Sequence, residues 1–244
     1  MINQCVAVLT SITEKNTHLT VGGFTQLPAP LSFYAHRFVT LLGKAATIDN
    51  EYAVLIAKVL IYFQPMAGQN LCVLPTSLTD KVLHVAPMFH IADAFVCLMT
   101  AATAGSNFFQ PAFDPVSTMK GVQEYSIDRM LLVPTMINMF VNHPEVENFD
   151  LKSLSQILYG ASPMPEPVIK KAMEILPHTQ FYQAYGQTEA APCITLLDAG
   201  RHTFEGPLAG KMKSAGQAIA GVELAVLDEN GAPVETGVVG EVCM

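Results

Sequence analysis

The chain has 244 residues, half of them hydrophobic and 14% charged, enough for a sizeable core and too apolar for disorder. A net charge of −8 argues against a nucleic-acid partner. Cys5, Cys72, Cys97, Cys193 and Cys243 are scattered and form no CxxC pair, which argues against a disulfide framework or zinc site and fits a reducing cytoplasm.

The first 75 or so residues carry no chemical motif. No basic leader precedes an apolar stretch, so a secretory signal is not expected. Leu27-Pro28-Ala29-Pro30 interrupts any regular element. Arg37 to Leu42 and Tyr52 to Phe63 read as helices. The second run is shorter than the roughly 20 residues of a membrane span and contains Lys58, so it reads as buried, and no transmembrane segment is expected.

From Lys81 the pattern becomes regular. Val82–Ala86 reads as a buried strand, Ile91–Ala104 as a helix and Asn107–Phe109 as a short strand. Asp114-Pro115 supplies an N-cap and first helical residue for a helix to Tyr125. Ile127–Val133 is a strand, and Pro134 opens a helix. Gln156–Tyr159, Pro165–Leu176 and Gln180–Ala184 continue as strand, helix and strand. This alternation predicts an α/β fold with a mainly parallel sheet flanked by helices. Val222–Leu227 and Val238–Val242, around Asp228-Glu229-Asn230-Gly231, read as a β-hairpin that starts a second, antiparallel subdomain. The expected division is a motif-free segment over 1–80, a central α/β part over 81–220 and the start of a β subdomain over 221–244.

Ligands of open parallel sheets bind beyond the carboxyl ends of the strands. Two strand ends there carry unusual residues. Tyr159-Gly160-Ala161-Ser162-Pro163-Met164-Pro165 combines a glycine that lets a flat ligand approach with prolines that fix the turn, although a plain strand-to-helix turn has the same features. Tyr185-Gly186-Gln187-Thr188-Glu189 gathers an aromatic face for a purine, a hydroxyl for a phosphate and a carboxylate for Mg²⁺. Its bland alternative is a polar loop with an exposed glutamate.

Tyr185-Gly186-Gln187-Thr188-Glu189 resembles the aromatic-Gly-x-Thr-Glu signature of the adenylate-forming superfamily. Tyr159 to Pro165 resembles that superfamily's Gly-Ala-x-Pro-hydrophobic-Pro segment. Val85-Ala86-Pro87-Met88-Phe89-His90 is similar to its Pro-hydrophobic-Phe-His segment, in a form closest to fatty-acyl-CoA synthetases. Ser214-Ala215-Gly216-Gln217 and Gly237-Val238-Val239-Gly240-Glu241 resemble the stretch that follows. The resemblance covers roughly residues 80–244. It implies an AMP-forming acid–thiol ligase that uses ATP, Mg²⁺ and CoA on a small carboxylic acid, a fatty acid in particular. It implies that Tyr185 stacks on adenine, with Gly186 beside it, and that Gly160, Ala161 and Ser162 line the adenine and acyl junction. By the same resemblance Thr188 contacts the phosphates, Glu189 ligates Mg²⁺, and Phe89 and His90 border the acyl site.

The family's Ser/Thr/Gly-rich phosphate loop ending in Pro-Lys-Gly has no counterpart in residues 1–80, and its downstream Gly-Asp would lie beyond Met244. Gly206-Pro207-Leu208-Ala209-Gly210-Lys211-Met212 is not a Walker loop, for it has three residues between its glycines and Met212 in place of a hydroxyl residue. The chain is therefore expected to be incomplete for turnover and prone to self-association. The rival reading is a non-catalytic nucleotide- or acyl-binding module. His90 and Asp93 share a helical face but lack a third metal ligand, so both His84 and His90 read as pocket or core histidines.

Overall fold

The computed structural model describes residues 79–244 apart from Ala104 and Ala191. The two helices expected near residues 37 and 52, and nearly all of the 1–80 segment, lie outside the described residues.

Among the described residues the expected α/β order is present. Strand β1 (Lys81–His84) leads to helix α1 (Ile91–Ala102), and β2 (Ser106–Phe109) to α2 (Pro115–Tyr125). Next come β3 (Arg129–Leu132), α3 (Pro134–Val141), β4 (Gln156–Gly160), α4 (Glu166–Ile175) and β5 (Gln180–Gly186). The sheet order is β2-β1-β3-β4-β5, all parallel. Two antiparallel strands extend it beyond β5: β6 (Cys193–Leu197) and the two-residue β7 (Gln217–Ala218). The sequence reading did not anticipate these two. A separate antiparallel pair, β8 (Ala225–Leu227) and β9 (Glu241–Cys243), forms the expected second sheet.

Alternate residues of each central strand serve opposite faces, as a pleated strand requires. Met130 and Leu132, Ile157 and Tyr159, and Phe181 point into the larger core with Met119, Val122, Ile137, Phe140 and Ile169 of α2, α3 and α4. Leu131, Leu158 and Tyr182 point the other way, where Ala92 and Val96 of α1 pack against them. Burial on both faces explains why these strands read as continuous apolar runs.

The helix ends follow local chemistry. The Asp114 carboxylate accepts the Ser117 N–H at 2.8 Å, Pro115 occupies the first turn, and Ser126 closes α2 at φ 53°. That backbone hydrogen bond holds the Asp114 carboxyl below its ordinary range. Helix α1 stops at Ala102, short of the expected Ala104. Thr103 turns its hydroxyl back onto the Met99 and Thr100 carbonyls at 3.2 and 3.1 Å and ends the helix.

Asp228–Gly231 does form the expected tight turn, with the Gly231 N–H donating to the Asp228 carbonyl at 3.0 Å. It does not join β8 directly to β9. Pro233 bridges to Leu227 and the Val234 N–H donates to the Val226 carbonyl at 2.9 Å, before the chain turns again and returns as β9.

Candidate functional site

Parallel pairing sets one edge of the sheet apart. The carboxyl ends of β1, β3, β4 and β5 lie along it, and Gly160 and Gly186 are the last residues of adjacent strands. The structure thus brings the two glycine-bearing segments side by side. Each glycine is required by a neighbouring backbone. A Cβ on Gly160 would lie 2.3 Å from the Ala184 carbonyl oxygen, and one on Gly186 would lie 1.9 Å from that of Pro192. Both distances are far inside van der Waals contact, so the crowding of the strands already demands glycine here.

Beyond β4 the chain enters a strained turn. Ala161 sits at φ 67°, in the left-handed region that non-glycine residues rarely adopt. Such strain persists only where surrounding structure enforces it, and it concentrates at functional sites. Ser162 and Pro163 are exposed, and α4 starts at Glu166 behind Pro165.

Beyond β5 the pairing with β6 shifts register between Tyr185 and Gly186. A bulge of this kind ends regular pairing and re-aims the side chains beside it. Tyr185 is 44% exposed. Thr188 and Glu189 lie in a single tight turn, Thr188–Ala190, anchored by buried Ala190 and by its N–H bond to the Gln187 carbonyl at 3.0 Å. Both are exposed, and neither side chain has a hydrogen bond or ion pair among the described residues. Their oxygens are free for a ligand. A hydroxyl beside a carboxylate suits a phosphate-bound Mg²⁺, a hard cation that takes oxygen donors.

Phe89 and His90 reach the same edge on the loop after β1, two strands away from β4, or about 10 Å by ordinary strand spacing. Phe89 is 93% exposed. His90 is the N-cap of α1, its Nδ1 accepting the Ala92 N–H at 3.3 Å. Asp93 lies in the first turn of α1 but pairs with His84, at 2.8 Å, rather than with His90. No cluster of three metal-ligating side chains occurs among the described residues.

Support for the edge comes from a bond between Tyr159 and His202, a histidine that the sequence reading passed over. Tyr159, fully buried in β4, contacts Nε2 of His202 at 2.9 Å, and Nδ1 of His202 contacts the Asp198 carbonyl at 2.9 Å. A carbonyl only accepts, so Nδ1 carries the proton and Nε2 accepts the Tyr159 hydroxyl. Burial lowers His202 to about 4, which keeps it neutral, and pushes the Tyr159 phenol up. The pair ties the turn after β6 to the strand that ends in Gly160. A tyrosine and a histidine 43 positions apart give no local signal of this bond. A groove of about 620 Å³, lined by residues that include Glu147, Lys152, Glu174 and His178, opens at the opposite edge and shares no residue with the site.

Comparison with known proteins adds to this geometry. The family model described as AMP-binding enzyme matches residues 53–244. The likeness thus extends upstream of residue 80, into a stretch where no motif was legible. Over 164 residues the chain is 32% identical to a medium/long-chain-fatty-acid–CoA ligase of Mycobacterium tuberculosis, covering 67% of this chain and 28% of that protein. It is also 32% identical over 164 residues to a feruloyl-CoA synthase of an Amycolatopsis species, covering 67% of this chain and 32% of that one. The chain therefore spans less than a third of the length of these curated relatives. Among solved structures, the N-terminal domain of FACL13 from Mycobacterium tuberculosis matches with a TM-score of 0.64 at 26% identity, over 72% of this chain and 42% of that one.

Proposed function

The chain belongs to the AMP-binding enzyme family, and on that premise we propose that it forms the adenine- and acyl-facing part of an AMP-forming acid–thiol ligase. The observation that carries this reading is the shared edge: β4 and β5 end side by side, with Tyr185 exposed at the end of β5 and Thr188 and Glu189 exposed just beyond it. The substrate is a small carboxylic acid, and the chain's likeness to a fatty-acid–CoA ligase and a feruloyl-CoA synthase supports that class. Within it, a fatty acid is the reading that the Ala86-Pro87-Met88-Phe89-His90 form favours.

The reaction has two steps. A carboxylate oxygen attacks the α-phosphorus of ATP; the new O–P bond forms as the bond to the β-phosphate breaks, giving acyl-adenylate and pyrophosphate. The CoA thiol then loses its proton and attacks the acyl carbon, so a C–S bond replaces the C–O bond and AMP leaves. This chain supplies position and charge. Tyr185 stacks on adenine, and the backbone of Gly160 to Ser162, with Gly186 beside it, lines the junction of nucleotide and acyl group. The Thr188 hydroxyl donates to a phosphate oxygen. Glu189 holds Mg²⁺, which when bound offsets phosphate charge. Phe89 and His90 border the acid. The unpaired Cys97, Cys193 and Cys243 support a reducing, cytoplasmic setting. Among the described residues no helix is long and apolar enough to cross a membrane.

An acyl-adenylate analogue tests the binding half of this reading. Calorimetry should show saturable binding, weakened by Tyr185→Ala by about 1–3 kcal/mol, the scale of base–aromatic stacking. Binding that is indifferent to Tyr185→Ala and to Glu189→Ala would place the nucleotide elsewhere.

A further inference from the structure

A second polar constellation stands at this edge, and the reaction above does not use it. His84, the last residue of β1, and Asp93 of α1 are each 1% exposed. Nδ1 of His84 lies 2.8 Å from Oδ1 of Asp93, and Nε2 lies 2.7 Å from Oδ1 of Asn107 in β2. The orientation of the Asn107 amide is set by its own nitrogen, which donates to the Cys97 carbonyl at 3.3 Å. Oxygen atoms therefore face both ring nitrogens.

A neutral imidazole has one N–H and one lone pair. Beside an ionised Asp93, a neutral ring would aim its lone pair at an oxygen within hydrogen-bond distance. One additional proton removes the conflict. With that proton on the ring, each ring nitrogen is a donor facing an acceptor oxygen. The pair is then an imidazolium and a carboxylate with no net charge, which a buried site tolerates far better than a lone anion. Two further observations agree. The ring stacks on Phe109 with centroids 5.0 Å apart and planes 24° from parallel. Oδ2 of Asp93 is buried without a hydrogen-bond partner among the described residues, which leaves His84 to compensate the charge.

The placement of the pair gives it a task. His84 precedes the loop of residues 85–90 and Asp93 follows it, so one buried bond pins both ends of the segment that carries Phe89 and His90. The His84 carbonyl also accepts the Gln110 N–H at 3.0 Å, and the His90 N–H donates to the Pro87 carbonyl at 3.0 Å within the loop. We infer that His84 and Asp93 are positioning residues: they hold one buried proton between them and clamp the loop that presents Phe89 and His90 to the carboxylic acid. The loop's role rests on the proposed function; the proton does not.

Two measurements on the complete protein separate these parts. With ¹⁵N-labelled histidine, both ring nitrogens of His84 should be protonated at neutral pH, assigned by the signals lost in His84→Gln, and Asp93→Asn should leave the ring with a single proton. A bare ring nitrogen in the parent protein would overturn the clamp. In thioester formation, Asp93→Asn and His84→Gln should each raise KM for the acid by about ten-fold, as small misplacements near a reacting group do. KM for ATP should stay within about two-fold, because the loop borders the acid and not the nucleotide. Equal losses for acid and ATP, or none, would overturn the positioning role. A parent protein that binds no acyl-adenylate analogue and forms no thioester would refute the proposed function, and the ring protons would still judge the clamp.

Discussion

Gly160 and Gly186 are fixed by the backbones beside them before any ligand is considered. Gly160→Ala must push β4 and β5 apart, because its Cβ would meet the Ala184 carbonyl at 2.3 Å. The expected cost is about 1–3 kcal/mol, typical of overpacking, read as a lower urea midpoint with an unchanged slope. His202 gives a pH prediction. An unfolded histidine takes its proton near 6.5, whereas buried His202 resists protonation until about 4. Between those values the unfolded chain binds more protons, so this contribution is fully present above about 6.5 and is lost as pH falls through about 4. The limit is about 3 kcal/mol, and His202→Gln should flatten that part of the stability–pH curve. Tyr185, Thr188 and Glu189 stood out in the sequence as candidates because five consecutive residues carry the whole signal. His84–Asp93–Asn107 was not, since three elements must fold before those side chains meet.

At the scale of elements, the parallel strands were legible because burial on both faces leaves near-continuous apolar runs between helix-length spacers. β6 and β7 were not. β7 has only two residues and a strand is recognised by its run, while β6 follows the β5 bulge with too short a connection to look like a further βα unit. The hairpin was read correctly as antiparallel but with too tight a connection. Its turn residues are genuine, yet the returning segment begins at Pro233, which has no N–H to extend a ladder. The alternation of faces makes a quantitative claim. Ile157 of β4, 1% exposed, faces α2, α3 and α4, and Ile157→Ala should cost about 2–5 kcal/mol in denaturant unfolding. A cost near zero would mean that these helices do not pack as described.

On the scale of the whole molecule, the second sheet leaves apolar side chains in water. Val238, Val239, Val242 and Met244 are exposed there, Val239 by 95%, and Phe89 is exposed at the site edge. Exposed apolar side chains such as these favour association where they adjoin. Residues 1–244 expressed alone are expected to self-associate in sedimentation velocity, and a concentration-independent monomer would contradict this. The proposed chemistry at the edge shared by β4 and β5 is formation of an acyl-adenylate. Its most direct measure is acid-dependent exchange of labelled pyrophosphate into ATP by the complete protein, with Mg²⁺ and without CoA, because this isolates the first step. Exchange should require the carboxylic acid and fall by about 10²–10³ in Glu189→Ala, the usual cost of one well-placed group at a transition state. Robust exchange that survives Glu189→Ala and Thr188→Ala together would contradict the account.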